Sequence, residues 1–422
     1  MSGKTIAEKI LASHSLSGTD FKPDDIINAK LDLIMSHIGT GKVVIDFNKI
    51  RPSKKRKIFD PSKIVVLFDH FVPAPSERWA AVHDLIRKFV KKQGISNFYD
   101  IREGICHQVV PEKGHARPGM LIIGGDSHTT TYGAFNAASC GVGNTDLFYG
   151  YVKGELWFRV PETIKFNITG KLPYNIMSKD VIIKIAGDYT AEVATYKSIE
   201  FTGETMENLS IASRMTMSNF ALELGAKFAF GVPDRKVVDW VKKRTTEPFE
   251  LVKPDPDAEY SETYDLDVSN LEPQISCPHT VDNVKPISEV EGIKLNQAFL
   301  GSCTNGRYED LEIAAKILEG KTIHDDVRMI VTPASKEIWL QAAKSGISET
   351  LMNAGAIITN SGCGACFGAL GGLLGPGEKC ISSANRNFKG RMGSAASEVY
   401  LGSPATVAAS ALKGEITDPR GF

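Results

Sequence analysis

Short apolar runs in this chain repeatedly end in a polar or glycine-rich loop that carries a cysteine, a histidine or an arginine. Ile64–Phe68 ends at Asp69-His70, and Met120–Ile123 ends at Gly124-Gly125-Asp126-Ser127-His128. Ala298–Leu300 runs into Gly301-Ser302-Cys303-Thr304-Asn305-Gly306-Arg307. Ala356–Thr359 opens into Ser361-Gly362-Cys363-Gly364-Ala365-Cys366, and Cys380–Ser382 leads to Asn385-Arg386-Asn387-Phe388. Between these runs lie stretches of helical spacing: Trp79, Val82, Ile86 and Phe89 before Gly94, Leu311, Ala314, Ala315 and Leu318 before Gly320, then Ile338, Trp339 and Ala342. Strand–helix alternation of this kind predicts an α/β fold with mainly parallel sheets and right-handed crossovers. Ligands of such sheets bind beyond the carboxyl ends of the strands, where these loops would converge.

A chain of 422 residues has room for about two to four domains. We expect three α/β/α domains around a central cleft: residues 1–159, 160–270 and 271–422. Ile6, Ile10 and Leu11 read as the inner face of a first helix, Val160-Pro161 and Ile164–Ile168 open the middle domain, and the charged, proline-bearing stretch from Lys242 to Glu262 reads as an exposed connection. Hydrophobic content of 42% with 23% charged residues fits a soluble globular protein. Lys+Arg 49 against Asp+Glu 50 leaves a net charge of −1, so no overall field favours nucleic acid. The run Lys54-Lys55-Arg56-Lys57 reads as a solvated loop. No apolar run approaches the roughly 20 residues needed to cross a bilayer, and the N-terminus lacks the apolar core of a signal peptide. Seven cysteines, an odd number without short-framework spacing, fit a reducing cytoplasm.

Cys303, Cys363 and Cys366 carry the chemistry. Thiolates are the usual ligands of iron–sulfur clusters, and three of them would leave one iron of a four-iron cluster without a protein ligand. An open metal position is where a substrate binds and is polarised, which favours a Lewis acid over an electron carrier. A lone C-x-x-C pair also occurs in zinc sites and thiol redox motifs, although a zinc ribbon would bring a second pair and a redox motif would not need Cys303. Cys106, Cys140, Cys277 and Cys380 read as small apolar core residues. Asp69-His70 and Asp126-Ser127-His128 each place a carboxylate beside an imidazole, as suits a general acid, and His107 is a third candidate. Arg386 and Arg391, in one loop, present forks suited to a substrate with more than one carboxylate.

Together these segments resemble the aconitase superfamily, and within it the large subunits of the isopropylmalate isomerase and homoaconitase group. The resemblance runs from Met35-Ser36-His37 to Leu401-Gly402-Ser403-Pro404. It implies a hydro-lyase acting on a 2-hydroxy di- or tricarboxylate, with Cys303, Cys363 and Cys366 holding one [4Fe–4S] cluster per subunit. It also implies that Asp69 and His70 form an acid pair, with His107, Asp126 and His128 in the same network, and that Glu200 is the carboxylate at the iron site. Arg386 and Arg391 match the substrate clamps, Ser127 a further substrate contact, and Asn385 lies beside the cluster. The family's catalytic serine sits in a Gly-Ser-Ser-Arg segment that this sequence lacks, so a separate small subunit is expected to supply it. Two departures stand out: Ile38 where relatives usually carry aspartate, and Tyr132 where many carry histidine. Pro111-Glu112-Lys113-Gly114 resembles the isopropylmalate branch more than the aconitase branch. An RNA-binding regulator, the remote alternative, would be expected to show a basic face and a fused fourth domain, and the sequence as read points to neither.

Overall fold

The computed structural model describes residues 3–49 and 57–422. Lys54, Lys55 and Arg56 of the basic run lie outside the described residues, and Lys57 is exposed. Among the described residues a two-stranded antiparallel ribbon pairs Ile26–Lys30 with Glu155–Arg159, and three larger sheets each draw their strands from one stretch of sequence. The first has the spatial order Asn97–Tyr99, Ile64–Leu67, Leu33–Ser36, Leu121–Gly124, Ala138–Gly141, with every pair parallel. The chain builds outward from Leu33–Ser36 to one edge, returns to the middle and builds toward the other. The order therefore reverses between Leu33–Ser36 and Leu121–Gly124.

The third sheet repeats that plan. Its parallel part runs Ile357–Ile358, Arg328–Val331, Gln297–Leu300, Lys379–Ser382, Glu398–Leu401, and two antiparallel strands, Gln274–Ser276 and Val284–Pro286, extend one edge. Here the order reverses between Gln297–Leu300 and Lys379–Ser382. Leu33–Ser36, Ile64–Leu67 and Gln297–Leu300 are mainly apolar and buried at every position, as expected where helices cover both faces. The middle sheet is a four-stranded parallel one in the order Phe228–Phe230, Ser198–Thr202, Thr163–Thr169, Glu262–Asp267. Its outer strand, Glu262–Asp267, alternates between exposed and half-buried positions, the pattern of a solvated edge.

Helices form where the apolar spacing placed them. Glu77–Gln93 buries Ile86, Phe89 and Val90 and ends at Gly94, whose φ of 73° terminates the last turn. Tyr308–Leu318 buries Leu311, Ala314, Ala315 and Leu318. The expected strand Ala356–Thr359 shortens to Ile357–Ile358, because as an edge strand it pairs only with Arg328–Val331. Residues 243–261 contain no helix or strand, as expected, yet they are pinned. The Asn136 amide donates to the Val252 carbonyl at 2.9 Å and accepts from its N–H at 2.7 Å.

Candidate active site

The two points of order reversal face a common cavity of about 260 Å³. The loops after Ile64–Leu67 and Leu121–Gly124 bring Asp69, His70, Asp126, Ser127 and His128 to it, and His107 comes from the helix Cys106–Glu112. The loops after Gln297–Leu300, Ile357–Ile358 and Lys379–Ser382 bring Cys303, Cys363, Cys366, Asn385, Arg386 and Arg391. Residues far apart in sequence thus share one chamber, as carboxyl-end loops of doubly wound sheets do. Tight backbone makes the cysteine loops possible. Gly364 has φ of 54°, and a Cβ there would meet the Thr332 hydroxyl at 2.8 Å, so glycine is required.

Asp69 is fully buried and makes two bonds with its carboxylate. His70 Nδ1 lies 2.7 Å from Oδ1, and the N–H of Cys106 donates to Oδ2 at 2.9 Å. Burial alone would raise this carboxyl, but the charge and hydrogen bond of His70 hold it well below the usual range. The same pairing overcomes burial in the other direction for His70, whose pKa is raised. His37 stacks on His70 with centroids 4.6 Å apart and bonds the Gly125 carbonyl through Nε2 at 2.8 Å. Its own pKa is lowered, by burial first and then by the neighbouring His70 charge.

Asp126 is a second hub. Its Oδ1 lies 2.7 Å from His107 Nε2 and accepts from the His128 N–H at 2.9 Å, and these partners outweigh burial to keep the carboxyl well below its ordinary value. His128 Nε2 bonds Oε1 of Glu223 at 2.9 Å. Arg386 Nε donates to the same oxygen at 2.7 Å, and its terminal nitrogen donates to Ser127 Oγ at 3.3 Å. Burial would raise Glu223, but His128 and Arg386 lower it. Arg391 differs, because its Nε is buried with no partner among the described residues, leaving a donor free for a ligand.

The thiols form a donor set of their own. Burial pushes the Cys303 thiol up to about 12, with Cys366 and Asp126 adding to it, and raises Cys363 well above its ordinary value, with Asp69, Cys303 and Asp126 adding to the effect. Cys303 Sγ accepts from the Asn385 amide at 3.4 Å and lies 3.8 Å from Asn219 Oδ1, while Cys363 Sγ lies 3.6 Å from His70 Nδ1. Three soft donors at one cavity, Cys363 and Cys366 buried and Cys303 half-buried, fit an iron–sulfur cluster, whose iron would stabilise the thiolates. All seven cysteines are free of disulfides.

One residue carried over by resemblance falls elsewhere. Glu200, on Ser198–Thr202, does not line the cavity. Its Oε1 accepts from the N–H of Ile6 at 2.8 Å and its Oε2 from Tyr260 at 2.8 Å. Ile6 opens the first helix, so Glu200 satisfies one of that helix's orphan donors beside the positive end of its dipole. The carboxylate that supports the cavity from behind is Glu223, which does not line it but bonds His128 and Arg386, both of which do. Its signal in the sequence was the i, i+4 pair Asn219 and Glu223, polar residues on one face of an otherwise apolar segment. The departures are also accommodated. Ile38 joins the core of the first sheet, and Tyr132 is fully buried, with its hydroxyl 3.3 Å from the Cys106 carbonyl and its ring 5.7 Å from that of His107.

Thiols for a metal cluster, imidazoles paired with carboxylates and two guanidiniums in one cavity make the site of a metal-assisted hydro-lyase. A model of the aconitase family (aconitate hydratase) matches residues 30–292 and 283–414. The 3-isopropylmalate dehydratase large subunit 1 of Methanopyrus kandleri is 51% identical over 420 residues, covering 100% of both chains. The probable 3-isopropylmalate dehydratase large subunit of Methanothermobacter thermautotrophicus is 49% identical, covering 98% of each chain. A probable methanogen homoaconitase large subunit of the same organism is 47% identical, covering 98% of this chain and 97% of its own. The chain belongs to the aconitase family. Membership implies an iron–sulfur cluster, and the relatives' designation as large subunits implies a separate small one. Among the described residues no helix is long and apolar enough to cross a membrane.

Proposed function

We propose that this chain is the large subunit of a cytoplasmic two-subunit hydro-lyase that converts 2-isopropylmalate to 3-isopropylmalate by dehydration to an alkene and rehydration. The observation that carries this reading is the convergence of Cys303, Cys363 and Cys366 with Asp69-His70, Asp126-His107, His128, Arg386 and Arg391 on one cavity, with Glu223 holding His128 from behind, joined to full-length relatives of that name. When bound, a [4Fe–4S] cluster held by the three thiolates supplies a Lewis acid through the one iron that no thiolate holds.

The chain's own residues do the rest. Arg391, with its free Nε, and Arg386, fixed by Glu223 and Ser127, each grip a substrate carboxylate and so orient the hydroxyl toward the imidazoles. His70, held at Nδ1 by Asp69, delivers a proton to the departing hydroxyl, which leaves as water. The proton on the neighbouring carbon goes to a serine of the small subunit, and rehydration reverses both transfers with the added groups exchanged. Phe367, whose ring centroid lies 4.7 Å from that of His70, shields the acid pair from bulk water.

The homoaconitase large subunit among the relatives supports a second substrate, homocitrate. Anaerobic reconstitution with a small subunit, followed by alkene absorbance on isopropylmalate, homocitrate, dimethylmalate and citrate, separates the readings. Turnover of isopropylmalate, with about four irons and four sulfides per chain, is the expected result. Stoichiometric zinc without labile sulfide would sink the cluster reading, and activity on homocitrate alone would overturn the substrate. Substantial turnover by the large subunit alone would refute the shared site.

A further inference from the structure

Behind the thiols lies a cation that the proposed chemistry does not use. Lys179, in the first turn of the helix Ser178–Tyr189, is fully buried. Its ammonium donates to the carbonyls of Ala384 at 2.8 Å and Ser383 at 3.2 Å and sits 4.5 Å from the centroid of the Phe220 ring. It forms no ion pair with a carboxylate among the described residues. A buried ammonium satisfied only by two carbonyls and an aromatic face is costly unless a negative charge lies close. Burial carries the pKa of Lys179 down to about 7, and the groups that act against this are, largest first, Cys303, Cys366, Glu223 and Asp310. Two of the three site sulfurs, Cys303 and Cys366, thus head the groups that favour its charge.

The carbonyls that Lys179 grips immediately precede Asn385 and Arg386. Ser383 Oγ accepts from the N–H of Gly301 at 3.0 Å, and the Asn385 amide reaches Cys303 Sγ. A single ammonium therefore fastens the turn that carries a thiol's hydrogen-bond donor and a substrate clamp.

We propose that Lys179 is a positioning residue for the cluster, the buried positive charge that faces the thiolates of Cys303 and Cys366 and holds the 383–386 turn against Cys303. This rests on the reading that Cys303, Cys363 and Cys366 hold a cluster. Removing a positive charge beside a cluster makes its reduction harder, since net local charge is one of the determinants of its potential.

The test compares the reconstituted holoenzyme with Lys179→Gln, which keeps a donor and loses the charge, and Lys179→Met, which loses both. Reduction midpoints are followed by electron paramagnetic resonance, iron release in air is followed in parallel, and thermal melting of the apo-chains reports folding. Both variants are expected to melt near the wild-type temperature, to show more negative midpoints by about a tenfold change in the one-electron equilibrium, roughly 59 mV, and to lose iron faster. Lys179→Met should also broaden the cluster signal, because the turn is no longer fastened. Wild-type midpoints and iron retention in both variants would overturn the proposal. So would variants that fail to fold even as apo-chains, since that would assign the lysine to the core. A wild-type chain that binds no cluster would instead refute the underlying reading.

Discussion

The N–H of Cys363 donates to the carbonyl of Asp69 at 3.0 Å, so the loop bearing two of the thiols is hung from the residue that holds His70. The first and third sheets are registered against each other at the atoms that would do the chemistry. Movement of either loop would shift both the metal donors and the acid pair.

Replacing Asp69 by Asn keeps the backbone bond to Cys363 but removes the charge that raises the pKa of His70. We expect the Asp69→Asn holoenzyme to bind its cluster normally and to lose about 10²–10⁴-fold in kcat, the usual worth of a positioned general acid. Visible absorbance of the cluster and steady-state rates measured together check this. An intact cluster with near-normal turnover would remove Asp69 from the mechanism.

The two arginines should respond differently to a Lys substitution. Arg391→Lys loses a free fork and should weaken transition-state binding by about 1.5–3 kcal/mol, roughly tenfold to a hundredfold in kcat/KM. Arg386→Lys should cost at least as much, because Glu223 also loses its guanidinium partner and His128 is left to share a carboxylate held on one side only. Kinetics on variants matched for iron content decide the matter, and unchanged constants in both would make the arginines structural.

Glu200 separates resemblance from structure. Glu200→Gln should lower stability by about 0.5–2 kcal/mol, the range for lost helix caps, and leave kcat and KM of the folded enzyme near wild type. Melting temperatures and kinetics on the same preparation test this. A large fall in kcat with unchanged stability would return Glu200 to the iron site. Glu223→Gln should show the opposite pattern, a kinetic loss with little change in melting.

Glu112 gives a dependence on pH. It is buried, and burial lifts its carboxyl from 4.5 to about 7, although Gln108 and Ser335 both donate to Oε1 and oppose the shift. The sign follows from the raised value. Below pH 4.5 both the folded and unfolded states are protonated and nothing is lost. Between 4.5 and about 7 only the unfolded chain ionises, so folding weakens as pH rises, by at most about 3 kcal/mol. Glu112→Gln cannot ionise and should gain relative to wild type as pH rises from 5 to 8. Denaturant midpoints of both proteins at the two pH values measure the difference, and a gain equal at both would dissociate it from ionisation.

Local sequence determined a large part of this protein. Apolar runs four residues long, flanked by glycines and followed by amphipathic helices, dictate parallel strands, because period and burial are properties of neighbouring residues. Cys303, Cys363 and Cys366 were legible for the same reason, since their loops need glycine at positions such as Gly364 that no side chain fits. Asp69 with His70, and Asp126 with His128, were legible as adjacent or near-adjacent pairs. Tertiary structure alone decided which carboxylate meets His128. Glu200 and Glu223 both follow apolar stretches, and only the packing of the middle sheet sends the first to cap Ile6 and the second across 95 residues to His128 in the cavity wall. His37 and Lys179 were hidden for the same reason. Their partners, His70, Gly125, Ser383 and Ala384, lie on other strands' loops, and long-range contacts of that kind arise from sheet order and register, which no local pattern of residues encodes.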